Sequence, residues 1–127
     1  MFGPNSTTLW GCLIYIFELQ SQYNALCIAE IKRRNANGRK SAMMPCEQAE
    51  TEWTGGLQEE LGKLATDVTG FGCRSYYSNG VGRNTILFPF RQGVYKRLLR
   101  RIEWKNYVVL EREEGEGVVI RRGTERR

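Results

Sequence analysis

Apolar residues recur at helical spacing from Leu9 through Leu13, Ile16, Phe17, Leu19, Tyr23, Leu26 and Cys27 to Ile31, a stripe too long for any strand. Asn5, Ser6 and Thr7 precede it with side chains that accept backbone N–H bonds at a helix start. Lys32, Arg33 and Arg34 follow it, where cations suit the negative end of the helix dipole, and Asn37-Gly38 is a natural stop. The pattern predicts one long helix over residues 7–35. It is a poor membrane span: the most apolar run, Leu9 to Phe17, meets Glu18 and Gln20 well short of the ~20 residues a bilayer requires. Met1 to Leu9 also lacks the positive charge that opens a secretory signal. The expectation is a soluble, cytoplasmic protein with no membrane partner.

The rest of the chain is less regular. Ser41 to Pro45 reads as a connector. A second helix is expected from Cys46 or Glu47 to about Val68, with Trp53, Leu57, Leu61, Leu64 and Val68 at helical spacing. Gly55-Gly56 lies inside it, and each glycine costs about 1 kcal/mol against Ala in a helix, so a kink or break is expected there. From Gly70 onward glycine, aromatic and β-branched residues dominate, which predicts two short strands or an ordered loop around Ser78-Asn79-Gly80. Gln92 to Arg101 reads as a short helix. Beyond Leu110 charges and glycines crowd together, so residues 111–127 are expected to form a mobile tail, with Val118-Val119-Ile120 as a brief edge strand.

A chain of 127 residues has material for one small core but not for two nucleotide-binding domains of several βαβ units each. No G-x-G-x-x-G turn occurs in it. With no His, hydrolase triads built on imidazole are excluded. Cys12, Cys27, Cys46 and Cys73 are too irregularly spaced for a zinc site, and the expectation is no metal and buried, reduced thiols. The net charge of +5 gives only a weak pull toward acidic partners, since much of the excess sits in one helix and the tail. Lys96, Arg97, Arg100 and Arg101, with Tyr95 and Trp104 as stacking faces, have the composition of a nucleic-acid contact. Glu103 and the acidic run after it oppose that, so a solvated amphipathic face is preferred and no nucleic-acid partner is expected.

The motifs form a distinctive order: Gly3-Pro4-Asn5-Ser6 before a helix carrying Glu18, Gln20 and Tyr23; Gly72-Cys73-Arg74-Ser75-Tyr76-Tyr77; Gly82-Arg83-Asn84-Thr85; Phe88-Pro89; and a basic helix running toward Lys105-Asn106-Tyr107. Over roughly residues 2–107 this order resembles the C-terminal end of the Baeyer–Villiger type of FAD- and NADPH-dependent monooxygenase. The resemblance implies an α+β, mostly helical fold, a C-terminal fragment of a two-dinucleotide-binding-domain flavoprotein, with residues 1–110 as the related segment. It implies FAD and NADPH as cofactors of a complete enzyme, neither held by this chain alone. A small organic substrate would be oxygenated, a secondary metabolite being compatible with the resemblance, and an upstream flavoprotein segment or full-length homologue would be the partner.

By the same resemblance Gly3, Pro4, Asn5 and Ser6 lie against the flavin, and Arg74, Ser75, Tyr76 and Tyr77 form a control loop over the nicotinamide cofactor and substrate chamber. On the residues alone, an ordinary helix entry is the preferred reading of Pro-Asn-Ser, and alternating strand residues that of Tyr76 and Tyr77. Two positions depart from the family pattern: Tyr76 stands where Trp is usual and Phe90 where Gly commonly follows the Pro. A non-catalytic module that binds a small molecule or a partner is the alternative reading.

Overall fold

The computed structural model describes residues 3–8, 11–35, 40–64, 76–79, 81–112 and 118–122. In chain order these form β1 (Thr7–Thr8), α1 (Leu13–Asn35), β2 (Lys40–Pro45), α2 (Glu47–Leu61), β3 (Leu87–Phe88), α3 (Gln92–Leu98), a single 3₁₀ turn (Trp104–Asn106), β4 (Tyr107–Arg112) and β5 (Val119–Arg122). The class is α+β, with three α-helices among the described residues and two sheets. Helix makes up about half of what is described, less than the mostly helical fold expected.

The long helix starts at Leu13, six residues later than the expected start at residue 7. Asn5 adopts a left-handed backbone (φ 52°) and Gly11 another (φ 128°), so helical geometry cannot run through this stretch. Between them Thr7 and Thr8 are β-branched and pair in parallel with Leu87 and Phe88. Asn5, Ser6 and Thr7 therefore do not cap the helix. A side chain at Gly11 would also collide with Gln92, whose Oε1 lies 2.5 Å from the place of a Cβ.

Ser41 to Pro45 is a strand, not a connector. Asn35 Oδ1 accepts the Ser41 N–H (2.7 Å), turning the chain from the end of α1 into β2. The sheet order is β2-β4-β5, antiparallel throughout, with Met43 opposite Val109 and Leu110 opposite Ile120. The boundary drawn at residue 110 thus falls inside β4, where Glu111 is buried and pairs with Val119. Of the expected edge strand at Val118 to Ile120, Val119 and Ile120 lie in β5, which runs on to Arg122.

Helix α2 runs unbroken through Gly55-Gly56, because both glycines face open space and Leu57 and Leu61 anchor the turns around them. The part of this expected helix beyond residue 64 lies outside the described residues.

The core gathers Ile16 and Leu19 from α1, Leu57 from α2, Phe88 from β3 and Tyr95 from α3. Phe88 is its hub, meeting Tyr95 edge-on at 4.9 Å and Phe90 at 5.5 Å between ring centroids. Phe90, the departure from the family Gly, is thus a packing residue against this core. The cysteines correct another expectation: Cys12 is exposed, Cys27 and Cys46 are half-buried, and all three are free thiols, whereas Cys73 is outside the described residues. Cys12 and Cys46 immediately precede α1 and α2, and Cys27 lies on α1 only partly covered.

Candidate functional site

The entry turn and the Gly82 to Phe88 segment are stitched into one unit. The Asn5 N–H donates to the Thr85 carbonyl (2.9 Å) and the Thr7 N–H to that of Ile86 (3.2 Å). The Asn5 side chain completes the seam: its Nδ2 donates to the carbonyls of Asn84 (2.9 Å) and Leu87 (2.8 Å), which uses both amide hydrogens. Asn84 replies with its Oδ1, which accepts the N–H groups of Ile86 (3.2 Å) and Leu87 (3.0 Å). Gln58 of α2 adds a third tie, Nε2 to the Asn84 carbonyl at 2.8 Å. Asn84 Nδ2 is buried without a hydrogen-bond partner among the described residues.

This arrangement divides the four flavin-turn candidates. Gly3 and Pro4 are exposed, while Asn5 and Ser6 are buried. Ser6 Oγ donates to the Gly3 carbonyl, so Asn5 and Ser6 spend their side chains on shaping the turn. Contact with any ligand would fall to the backbone of Gly3 and Pro4.

Of the control-loop candidates, Arg74 and Ser75 lie outside the described residues. Tyr76 is 85% exposed and its ring meets Tyr77 edge-on at 5.6 Å. The Tyr77 carbonyl accepts the Thr85 N–H (3.0 Å), on the residue whose own carbonyl holds Asn5. Thr85 therefore links the two predicted segments, one through its N–H and the other through its C=O. Beyond Tyr77, Asn79 Oδ1 accepts the N–H groups of Val81 (3.2 Å) and Arg83 (2.9 Å) and closes the tight turn.

Beside the seam is an open cleft of about 790 Å³ lined by Gly11, Pro89, Arg91, Gln92 and Gly93. Gln92 Nε2 donates to the Cys12 carbonyl (3.0 Å), fixing the chain just before α1 against the start of α3. The first N–H groups of α1 have no acceptor within the helix, so this end carries donors and partial positive charge.

Farther along α1, Gln20 Nε2 donates to the Tyr95 hydroxyl (2.7 Å), and the Tyr23 and Tyr107 hydroxyls are 2.5 Å apart. Burial, followed by the bond to Tyr107, raises the Tyr23 phenol well above its usual range. Burial also raises Tyr95, against the opposing effect of the Gln20 bond. These helix residues brace α3 and β4 and are neutral at physiological pH. Among the described residues no cluster of His, Cys, Asp and Glu could hold a metal.

The residues that sequence reasoning missed are Gln58, Asn84, Thr85 and Gln92. Asn84 and Thr85 are visible in the sequence only as part of a motif. Asn84 stands 79 positions from Asn5 and 26 from Gln58, and Gln92 stands 80 from Cys12, so no local pattern reveals these pairings.

An α+β module that joins a Gly-Pro-Asn turn to the Gly-Arg-Asn-Thr segment leading into β3 is therefore what this chain presents. Part of two curated monooxygenases is similar to it. It is 28% identical over 115 residues to the FAD-binding monooxygenase BOA2 of Botryotinia fuckeliana, covering 90% of this chain and 21% of that protein. It is 30% identical over 110 residues to a Baeyer–Villiger monooxygenase of Streptomyces coelicolor, covering 87% of this chain and 20% of that one. No family model and no solved structure matches the chain. The chain is thus related to part of a Baeyer–Villiger-type monooxygenase, and it spans about a fifth of the length of the curated relatives it matches.

Proposed function

We propose that this chain is the C-terminal part of a Baeyer–Villiger-type flavin monooxygenase, inactive by itself, that helps to wall the flavin and the chamber for a small organic substrate. The observation that carries the reading is the Thr85 link: the two segments that resemble the flavin turn and the control loop both hydrogen-bond to the backbone of this one residue. Movement of one would be felt by the other within a single hydrogen-bonded unit.

The residues fit one edge of a flavin and no more. Exposed backbone at Gly3 and the donor-rich start of α1 suit the ring's electron-rich side, whereas Pro4 has no N–H to offer it. A pyrophosphate needs a glycine turn that this sequence lacks. Bound flavin would supply the oxygen activation; Asn5 and Asn84 would hold the turn in shape, and Tyr76 and Tyr77 would border the nicotinamide cofactor and the chamber. FAD and NADPH binding by the assembled enzyme is part of this reading.

The test is FAD absorbance retained through gel filtration by the chain alone and by the chain coexpressed with the bacterial relative shortened by the stretch this chain matches. Retention only in the coexpressed sample is expected. No retention in either sample, with the chain folded, would replace the enzyme reading by a binding role.

A further inference from the structure

The last turns of α1 form one wall of a second cleft, of about 630 Å³, at the opposite end of the helix from the Gly11 cleft. Leu26, Ala29, Glu30 and Arg33 follow one another at intervals of three and four residues, which places them on a single helix face. The chain leaving α3, Arg100 to Lys105, supplies the other wall, and the Asn106 N–H closes its 3₁₀ turn on the Glu103 carbonyl (2.9 Å). About 20 Å of helix separates Leu13 from Leu26, so the two clefts are distinct.

The lining joins two chemistries. Leu26, Ala29, Ile102 and Trp104 are apolar, whereas Arg33, Arg100, Arg101 and Lys105 are cationic and outnumber the carboxylates of Glu30 and Glu103. Both carboxylates are already engaged. Glu30 accepts from Arg33 Nε (2.8 Å), Arg33 Nη2 (2.6 Å) and Arg34 Nε (2.7 Å), and Glu103 accepts from Arg101 Nε (2.7 Å). Arg100 and Lys105 have no side-chain hydrogen bond or ion pair among the described residues. Two positive charges thus border a partly apolar cleft uncompensated, and a cleft focuses their field more than a convex surface would. Trp104 is held in place: the buried Arg34 guanidinium lies over its ring, 5.0 Å from the centroid, and is tied to Glu30 and Glu111. Arg34 does not line the cleft, so it steadies the indole without filling the space.

The fold also divides the basic run of α3. Lys96 Nζ lies 5.9 Å from the Tyr15 ring centroid and Arg97 is outside the cleft, so only Arg100 and Arg101 join Trp104 there. A nucleic-acid strand needs a basic track that follows its backbone, whereas a small anion needs one corner of this kind. We infer that the cleft binds a small organic anion: a flat apolar body carrying one oxyanion group, a carboxylate or a phosphate ester. The body lies against Trp104, Ile102 and Leu26. The oxyanion meets the planar fork of Arg100 and the Lys105 ammonium. The volume is that of a small-molecule site. This site goes beyond the flavin reading and does not rest on it.

The experiment titrates the full chain with 2-naphthoate, 2-naphthyl phosphate and neutral 2-naphthamide by calorimetry. It also follows the Trp104 indole N–H by NMR, its signal assigned with Trp104→Phe. One or both anions should bind saturably and shift that signal, and the tighter of the two tells carboxylate from phosphate. The amide should bind far more weakly. Arg100→Gln and Lys105→Gln should each weaken the anion about tenfold. Both variants should keep the wild-type circular dichroism spectrum, since these side chains are exposed and free of partners. Arg97→Gln, on α3 outside the cleft, should bind normally. No binding of either anion, equal binding of the amide, or binding that leaves the Trp104 signal unmoved would overturn the proposal. An equal loss with Arg97→Gln would overturn it too, by showing that diffuse surface charge attracts the probe. Flavin retention tests the monooxygenase reading separately.

Discussion

Replacing Asn5 by Ala removes both donors that hold the entry turn to Asn84 and Leu87. Each neutral hydrogen bond contributes about 0.5–1.5 kcal/mol net, and both acceptors here are buried. Asn5 also holds φ 52°, where Asn is tolerated but Ala loses about 1 kcal/mol. The sum is a destabilisation of about 3 kcal/mol. In urea, with a slope of roughly 2 kcal/mol per molar for a small domain, the midpoint should fall by about 1.5 M. Two companion variants separate the causes. Asn5→Gly accepts the dihedral and should lose about 1 kcal/mol less than Ala. Asn5→Asp keeps the shape but sets a carboxylate against two carbonyl oxygens, so it should be worse than Ala at neutral pH. Acidification through the carboxylate range should then recover part of that loss, because a protonated Asp regains one donor. If Asn5→Ala unfolds within 0.2 M of wild type, or Asn5→Asp matches wild type at pH 7, the clasp does not hold the fold as argued.

Other expectations are more local. Gly55→Ala and Gly56→Ala should each stabilise the chain by up to about 1 kcal/mol, since neither added methyl meets another atom and both sit inside a helix; thermal melts check this. Glu30 is held below the usual carboxylate range, chiefly by its bond to Arg33 and further by Arg34. A carboxyl with a depressed folded pKa stabilises above its unfolded value and loses that contribution as the pH falls through the folded value. The melting temperature should therefore drop in acid, and Glu30→Gln should flatten that slope. Cys12 is exposed, whereas burial raises the Cys27 thiol, so a thiol-reactive dye near pH 8 should label Cys12 well before Cys27, as peptide mapping would show.

The elements legible in sequence were those whose signals are local and periodic. Helix α1 follows from its apolar stripe, and α2 and α3 from their spacing. The strand at Val118 to Ile120 follows from its β-branched run. What failed was decided by distant partners. Thr7 and Thr8 look like a helix entry until Leu87 and Phe88 offer them a parallel pair. Ser41 to Pro45 looks like a connector until β4 supplies its ladder. Leu110 looks like the end of the ordered chain because the residues after it are charged, yet Glu111 is buried and ion-paired with Arg34 at 3.3 Å, under an Arg34–Trp104 contact at 5.0 Å. The candidate site divides in the same way. Its turn was visible as Gly-Pro-Asn, but the commitment of the Asn5 side chain to its own fold depends on Asn84, which no local pattern connects to it.

The parallel pairing of Thr7–Thr8 with Leu87–Phe88 also constrains how the chain acquires its shape. Closing a loop of about eighty residues costs on the order of 4 kcal/mol in chain entropy before any reward is received. During synthesis the entry turn must wait until Phe88 has left the ribosome, while α1 can form from local contacts long before. In that interval Ile16 and Leu19 of the helix lack the cover that Phe88 and Tyr95 later give them. A chaperone that holds emerging apolar helices should therefore meet this segment early and release it once residues 84 to 88 arrive to close the seam.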